Sequence, residues 1–150
     1  MEAEAIANSA VIARHLAATL RQVLGRSDVI ITTGGIGPTA DDITREAVAA
    51  ATDRELVFSE ELMGQIEAYF TARGLRLSPS NRRQAHIPAG AIPVENPVGT
   101  APAVIVEHYD RTVITLPGVP REMEYLLVSR VIPYLRKRLG VQGERDGCVS

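Results

Sequence analysis

Val29-Ile30-Ile31-Thr32-Thr33-Gly34-Gly35-Ile36-Gly37-Pro38 is the stretch that decides the fold of this 150-residue chain. Its first half, Val29 to Thr33, is a short β-branched run without polar alternation, which is typical of a strand covered on both faces in a parallel sheet. Its second half, Gly34 to Pro38, ends the strand at once. The alanine-rich segment Ile43 to Ala51 then predicts a helix. A strand, a glycine loop and a helix in this order predict an α/β fold.

The glycine loop has the composition of a phosphate-binding loop. Open α/β sheets bind ligands at the carboxyl ends of their strands, and backbone N–H groups at a helix start favour negative charge. Gly34, Gly35 and Gly37 lack a Cβ and let a ligand approach the main chain, while Pro38 stiffens the exit from the loop. A tight turn that binds nothing is the alternative, although a plain turn rarely needs three glycines in four residues and flanking hydroxyls.

Two familiar phosphate motifs fit the loop less well. A Walker A loop requires Gly-Lys-[Ser/Thr], and no lysine follows Gly37 before Lys137. The run Gly35 to Ala40 does match the dinucleotide pattern G-x-G-x-x-[G/A], with Glu55 about 20 residues further on. That acidic residue should close a second strand, whereas Glu55 precedes Leu56 to Phe58. A dinucleotide site therefore stays as a weaker alternative.

Two adjacent aspartates, Asp41 and Asp42, lie at the start of the predicted helix. Carboxylates at this position favour the helix dipole, and they can hold Mg²⁺ through one or two oxygens together with substrate phosphates and water. Helix capping alone is the alternative role for both residues. The sequence therefore offers a candidate divalent metal site next to the phosphate loop.

The remaining elements follow from periodicity and from proline and glycine positions. Apolar spacing predicts helices that end at Leu24 and Gly74, and a last helix from about Arg121 with a kink at Pro133. The segment Leu77 to Pro102 is expected to be mostly ordered loop, with a short strand at Ala91 to Val94. We expect Val104 to Glu107 and Thr112 to Leu116 to form an antiparallel pair at a sheet edge.

Composition excludes several classes of function. Sixteen basic and eighteen acidic residues give a formal charge of -2, and only 4% of residues are aromatic, so neither a positive field nor a stacking platform favours nucleic acid. The N-terminus is acidic where a secretory signal is basic, and no apolar run approaches the roughly 20 residues of a membrane span. The single cysteine, Cys148, fits a reducing compartment. We expect a cytoplasmic protein without a membrane or nucleic-acid partner.

Four motifs in order resemble those of a known family. They are Thr32 to Thr39 with Asp41 to Thr44; Asn81 with Gln84-Ala85, Ile87-Pro88 and Gly90-Ala91; Asn96 to Pro102; and Leu116 to Met123. Together they resemble the molybdopterin-binding (Mog-like) domain, in the branch found at the N-terminus of competence/damage-inducible protein A (CinA). The resemblance implies a three-layer α/β fold with a mostly parallel sheet and an antiparallel edge hairpin. It implies one domain over residues 1–140, with 141–150 as a tail or the start of a linker.

The same resemblance implies a function. It implies that the loop binds a phosphate-bearing pterin, such as molybdopterin, or a nucleotide, and this branch is associated with metal-dependent ADP-ribose pyrophosphatase activity. In the wider family, the aspartate matching Asp42 is important in pterin adenylylation or molybdenum insertion. Asp42 is therefore the expected catalytic residue and metal ligand, with Asp41 assisting through Mg²⁺ or a similar ion. The expected ligand-binding residues are Thr33, Gly34, Gly35, Gly37, Pro38, Thr39, Thr44, Asn81, Gln84, Gly99, Thr100, Pro117, Gly118 and Pro120.

The chain also departs from the family pattern. Members of the family begin with a strand that carries a Gly-x-Glu motif. After one helix they have a second strand, which is followed by a Gly-Asp turn. Neither feature is visible before Val29. We therefore expect a shortened N-terminus and the loss of the acidic residue that the turn supplies. A catalytically incomplete binding or assembly module is the alternative function. An uncovered strand edge at Val29 to Thr33 would leave apolar surface exposed, so we expect a homo-oligomer.

Overall fold

The structure, a computed structural model, describes the backbone of residues 2–40 and 42–140, and the side chains within these ranges from residue 9 onward. The helices are α1 (Glu2–Leu24), α2 (Thr44–Ala51), α3 (Glu60–Ala72), α4 (Pro120–Leu126) and α5 (Ile132–Leu139). The strands are β1 (Val29–Thr33), β2 (Leu56–Phe58), β3 (His86–Pro88), β4 (Ile92–Val94), β5 (Ala103–His108) and β6 (Arg111–Leu116). A 3-10 helix spans Pro79–Ala85, and a π-helical turn, Leu127–Val131, joins α4 to α5. The expected tail after residue 140, with Cys148, lies outside the described residues.

Four strands form the main sheet in the order β1-β6-β5-β4, and β2 pairs with β3 separately. The α/β class and the hairpin β5-β6 are confirmed. The hairpin lies in the middle of the described sheet, however, and not at its edge, because β1 pairs with β6 and β4 pairs with β5. Every residue of both hairpin strands is buried or half-buried, and each strand has a neighbouring strand on its outer side. Strand β4 contains Pro93, which lacks an N–H and suits an edge position.

The described sheet is mixed and not mostly parallel. Strand β1 runs parallel to β6, whereas β5 is antiparallel to both of its neighbours. Within the described residues, α1 leads directly into β1, so β1 has one partner and one free edge. Ile31 is 43% exposed as a result, which corrects the prediction that β1 is covered on both faces. The expectation of an uncovered edge at β1 is confirmed.

Helices cover both faces of the sheet, which confirms the three-layer architecture. Side chains alternate along a strand, so β5 sends Val104 and Val106 to one face and Ala103 and Ile105 to the other. The first face packs against α1, α2 and α3 through Leu20, Leu24, Val48, Leu62 and Ile66. The second face packs against Leu126 and Val131 of the C-terminal helical region. Each fully buried aliphatic side chain stabilises this arrangement by about 1.5–3 kcal/mol.

The C-terminal helical region contains one feature that was not predicted. A π-helical turn, Leu127–Val131, precedes Pro133, and the backbone keeps right-handed helical angles on both sides of this turn. Proline lacks an N–H and its ring clashes with the carbonyl four residues earlier, so a departure from α-helical hydrogen bonding just before Pro133 is expected. None of the described helices combines the length and the apolarity that crossing a bilayer requires.

Candidate functional site

A cavity of about 370 Å³ lies where β1 and β6 end. Because the two strands are parallel and Thr33 is in register with Leu116, the loops that follow them emerge side by side. The cavity is lined by Gly34, Gly35, Ile36, Gly37, Pro38, Asp42, Gln84, Thr100, Ala101, Pro117, Gly118, Val119 and Glu122. Most of the residues predicted to bind a ligand are therefore brought together from four separate segments of the chain.

The glycine loop and the Pro117-Gly118 turn approach each other at backbone distance. The amide of Gly34 donates to the carbonyl of Leu116 at 2.8 Å. A Cβ on Gly118 would lie 3.1 Å from the Cα of Gly34, which is tighter than ordinary contact. Gly34 and Gly35 also have φ angles of 86° and 73°, in the left-handed region that favours glycine. Glycine is thus required by both the conformation and the packing of the loop.

Thr44 and Arg45 fix the loop from behind, at the start of α2. Four successive carbonyls accept hydrogen bonds from these two residues: Gly34 from Thr44 Oγ1 at 2.9 Å, Gly35 from Thr44 N at 3.0 Å, Ile36 from Arg45 Nη1, and Gly37 from Arg45 Nη2 at 2.6 Å. In a trans peptide the N–H points away from the preceding carbonyl. The amides of Gly35, Ile36 and Gly37 therefore point away from α2.

Two of these amides are unused within residues 2–40 and 42–140. The N–H groups of Gly35 and Ile36 have no hydrogen-bond partner there, whereas the backbone of Gly37 faces the carboxylate of Asp42 and lowers its pKa. Buried or ligand-facing amides are normally paired, so two free donors beside a cavity mark a place where an acceptor can bind. This is the local arrangement that an anion requires.

No local pattern in the sequence singles out Arg45, which the structure places beneath the glycine loop. Its side chain is only 3% exposed, and burial lowers its pKa, to which the nearby Arg83 adds, while Glu46 and Asp42 act in the opposite direction. A planar guanidinium can serve two adjacent carbonyls at once. Thr44, which was expected to contact the ligand, does not line the cavity, because its hydroxyl is bonded to Gly34.

Asp42 lies at the other end of the loop and is bonded to it. Its Oδ2 accepts from Thr39 N at 2.9 Å and from Thr39 Oγ1 at 2.7 Å. Burial acts to raise the pKa of Asp42, but the hydrogen bonds from Thr39 and from the Gly37 backbone, with the charge of Arg45, lower it below its usual 3.8. Asp42 is therefore an anion at neutral pH that lines the cavity. Thr39, which was predicted to bind the ligand, donates hydrogen bonds to Asp42 and does not line the cavity itself.

A chain of side-chain amides reaches the cavity from the 3-10 helix. Asn81 Oδ1 accepts from the amide of Ser78 at 2.9 Å, Asn81 Nδ2 donates to Gln84 Oε1 at 3.0 Å, and Gln84 Nε2 donates to Thr100 Oγ1 at 3.1 Å. Gln84 and Thr100 line the cavity, and Asn81 lies one step behind them. Gln84 is 1% exposed, so its amide is fixed by these bonds.

Glu122, in α4, is a second acidic residue in the cavity. We expected Asp41 to assist Asp42 and the acidic residue of the missing family turn to be lost, and Glu122 was not among the predicted site residues. Glu122 belongs to the motif Leu116 to Met123, but nothing in the sequence relates it to Asp42 across 79 intervening residues. Only the pairing of β1 with β6 brings the two carboxylates to one cavity.

Three other predicted residues, Thr33, Pro120 and Gly99, do not line this cavity. Thr33 is an exposed residue at the end of β1, Pro120 begins α4, and Gly99 lies behind Glu122. Asp41 lies outside the described residues. Within the described ranges, no group of three or more His, Cys, Asp or Glu side chains is placed to hold a metal ion. A divalent ion would therefore depend on Asp42 together with oxygens of the ligand and water.

Comparison with known proteins agrees with this geometry. A family model described as "Probable molybdopterin binding domain" matches residues 9–137. The chain belongs to the molybdopterin-binding domain family. The glycine loop, the 3-10 helix, the Asn96 segment and the Pro117-Gly118 turn of this molybdopterin-binding domain all lie within the matched region.

Its relatives place the domain in the CinA-like branch. It is 46% identical over 125 residues to a putative competence-damage inducible protein of Halothermothrix orenii, covering 83% of this chain and 30% of that protein. A second such protein, of Alkaliphilus oremlandii, is 51% identical over 112 residues, covering 75% of this chain and 27% of that protein. The chain thus spans less than a third of the length of these curated relatives.

A solved structure shares the fold. The crystal structure of CinA from Thermoplasma acidophilum, described as a protein of unknown function, superposes with a TM-score of 0.72 at 38% identity. The match covers 78% of this chain and 68% of that one. Fold and family are therefore shown by sequence and structure alike.

Proposed function

We propose that this domain, acting in the cytoplasm, binds the phosphate of a nucleotide or pterin at the Gly34–Gly37 loop and hydrolyses ADP-ribose with the aid of a divalent metal ion. The observation that carries the proposal is the orientation of the loop. Thr44 and Arg45 hold its four carbonyls, and the free amides of Gly35 and Ile36 point the other way. Converging backbone amides without side chains in front of them favour a phosphate group.

The size and the polar content of the cavity support a small-molecule ligand. A volume of about 370 Å³ falls within the range of about 300–1,000 Å³ that ligand cavities occupy. Gln84 and Thr100 offer neutral polar groups, and Pro117 and Gly118 line the cavity beside the glycine loop. A phosphate on the loop would leave the attached sugar or heterocycle in the remainder of the cavity.

Charge gives a reason for the metal ion. Asp42 is an anion at neutral pH, and a phosphate is another, so a cation between them removes their repulsion. Mg²⁺ is usually held by one or two carboxylates together with substrate phosphates and water, which fits the donors available here. When bound, the ion polarises a phosphoryl oxygen and activates water. The reaction adds water across the pyrophosphate bond of ADP-ribose and yields AMP and ribose 5-phosphate.

The test is direct. Purified protein is incubated with ADP-ribose and MgCl₂, and AMP is measured by chromatography, with a chelator added to a parallel sample. We expect AMP to form, Asp42→Asn to reduce its formation, and the chelator to abolish it. Asp110→Asn removes a charge from an exposed hairpin turn and is the matched control. Absence of AMP from the wild-type protein with metal would exclude the enzymatic part of the proposal.

Ligand binding without hydrolysis is the second candidate function. It is favoured by the bonding of Asp42, whose Oδ2 already accepts two hydrogen bonds from Thr39. Calorimetric titration with AMP, ADP-ribose and a molybdopterin analogue separates the two functions. Binding without product formation would select the binding module.

Self-association is part of the same proposal. The free edge of β1 and the exposed side chain of Ile31 leave a strand that another chain can cover. We expect light scattering to give a mass above that of one chain, and Ile31→Lys to reduce it. A wild-type mass equal to the 16.2 kDa monomer would contradict self-association.

A further inference from the structure

The two carboxylates of the cavity differ in how much of their bonding capacity is used. Asp42 accepts two hydrogen bonds from Thr39, both at Oδ2 and within its own loop. Glu122 accepts one, at Oε1, from Asn96 Nδ2 at 2.8 Å. Its Oε2 has no hydrogen-bond partner among residues 2–40 and 42–140. Glu122 therefore keeps an unused acceptor oxygen in the cavity.

The Glu122 carboxylate is held in place by Asn96 and by the absence of a side chain at Gly99. Asn96 is buried and also donates to the carbonyl of Ala101 at 2.9 Å, while its Oδ1 accepts from the amide of Val98 at 3.1 Å. A Cβ on Gly99 would lie 2.0 Å from Glu122 Oε1, so the carboxylate occupies the space that a side chain there would fill. The Asn96 segment thus positions the Glu122 carboxylate.

The chemistry of a carboxylate decides what it can recognise. An ionised carboxylate accepts hydrogen bonds and repels phosphate, so Glu122 does not complement the phosphate itself. It lines the same cavity as Val119, Thr100, Ala101 and the glycine loop with its free amides. A ligand held by its phosphate at those amides would place its non-phosphate part in the remainder of the cavity, which Glu122 also lines.

We propose that Glu122 is the specificity-determining acceptor of the site, recognising hydroxyl or amino donors on the group attached to the phosphate. This assignment rests on the proposed function, because it requires a phosphate on the glycine loop. The shared chemistry is a neutral hydrogen-bond donor, which a ribose diol and a pterin amino group both supply. Asn96 is a positioning residue that acts through Glu122.

The variant Glu122→Gln tests the assignment without breaking the fold. Glutamine keeps an oxygen that accepts from Asn96, but it replaces the charged acceptor by an amide. Glu124→Gln, on the exposed side of the same helix and outside the cavity, is the matched control. Gly99→Ala is a second variant, because it displaces the carboxylate and leaves the charge of the protein unchanged. Thermal melting of each variant verifies folding.

Calorimetric titration uses inorganic pyrophosphate, AMP, 2′-deoxy-AMP, ADP-ribose and a molybdopterin analogue, with MgCl₂ present throughout. We expect Glu122→Gln and Gly99→Ala to bind pyrophosphate as the wild type does. Their affinity for AMP and ADP-ribose, or for the pterin analogue, should fall roughly ten- to hundredfold, as loss of a charged hydrogen bond implies. If the variants lose affinity for AMP but not for 2′-deoxy-AMP, the ribose diol is the donor. If they lose affinity only for the molybdopterin analogue, the donor belongs to the pterin.

Three results would contradict the assignment of Glu122. Unchanged affinity of Glu122→Gln for every probe that the wild type binds overturns this assignment alone. Equal weakening of pyrophosphate and nucleotide also overturns it, because Glu122 would then act on the phosphate through a cation. Failure of the wild type to bind any probe, pyrophosphate included, overturns the proposed function and this assignment together.

Discussion

Arg45 donates to the carbonyl of Gly37 at 2.6 Å from a side chain that is buried beneath the glycine loop. The same guanidinium also donates to Ile36, so one side chain of α2 sets the direction of two consecutive peptide groups. A loop that binds phosphate through its backbone must hold its amides in one direction before the ligand arrives. Arg45 is the group that enforces this direction from the side opposite the cavity.

Replacement of Arg45 by lysine is the first prediction. An ammonium group cannot reproduce the planar fork that serves both carbonyls, so one carbonyl loses its partner. We expect Arg45→Lys to lower the free energy of unfolding by about 1–3 kcal/mol and to weaken pyrophosphate binding. Urea denaturation and calorimetry measure the two effects. Arg76→Lys, at an exposed position after α3, is the control, and equal behaviour of both variants would contradict the role of Arg45.

Replacement of Gly35 by alanine should have the opposite outcome from replacement of Gly64. At Gly35 the φ angle is 73° and a Cβ would lie 2.0 Å from Thr44 Oγ1, so we expect Gly35→Ala to destabilise the protein by about 1–3 kcal/mol and to reduce ligand binding. Gly64 lies within α3, where nothing is found within 4 Å of a Cβ. There we expect Gly64→Ala to stabilise the protein by about 0.5–1 kcal/mol. Thermal melting that ranks the two variants in the reverse order would refute the packing described for the loop.

Asp42 should make the free energy of unfolding decrease as the pH falls below about 4. Its pKa is lower in the folded chain than the usual 3.8, so it stabilises the folded state above that value. This contribution is lost as the pH falls through the lower folded pKa. We expect the difference in unfolding free energy between the wild type and Asp42→Asn to be constant near neutral pH and to shrink below about pH 4. Urea denaturation at several pH values measures it, and a difference that grows in acid would be inconsistent with the bonding of Asp42.

The hydroxyl of Tyr134 should lose its proton at a higher pH than an ordinary tyrosine. Burial, and then its hydrogen bond to Glu107, raise its pKa from 10.0 to about 12. A folded pKa above the unfolded value stabilises the protein below pH 10, and this contribution is lost as the pH rises through about 12. Ultraviolet titration of the wild type should show a tyrosine ionising near pH 12 that is missing from Tyr134→Phe. Identical alkaline curves for the two proteins would exclude this environment for Tyr134.

Local patterns accounted for much of the secondary structure. Strand β1 begins and ends where its β-branched run does, and α3 begins after Ser59, whose hydroxyl accepts from the amide of Leu62 at 3.2 Å. Both elements depend on residues that are neighbours along the chain. The order of strands in the sheet was not predictable in the same way, because the hairpin β5-β6 has the same local sequence whether it lies at an edge or in the centre.

The sequence by itself determined the α/β class, the family and the identity of the glycine loop, because these depend on residue types at short spacing. Tertiary structure alone decided which groups complete the site. Arg45 satisfies carbonyls that precede it by eight and nine residues, and Glu122 reaches the cavity only because β1 and β6 are parallel neighbours. Contacts of this kind arise from the packing of the whole chain, and a linear pattern carries no record of which distant side chains that packing will bring together.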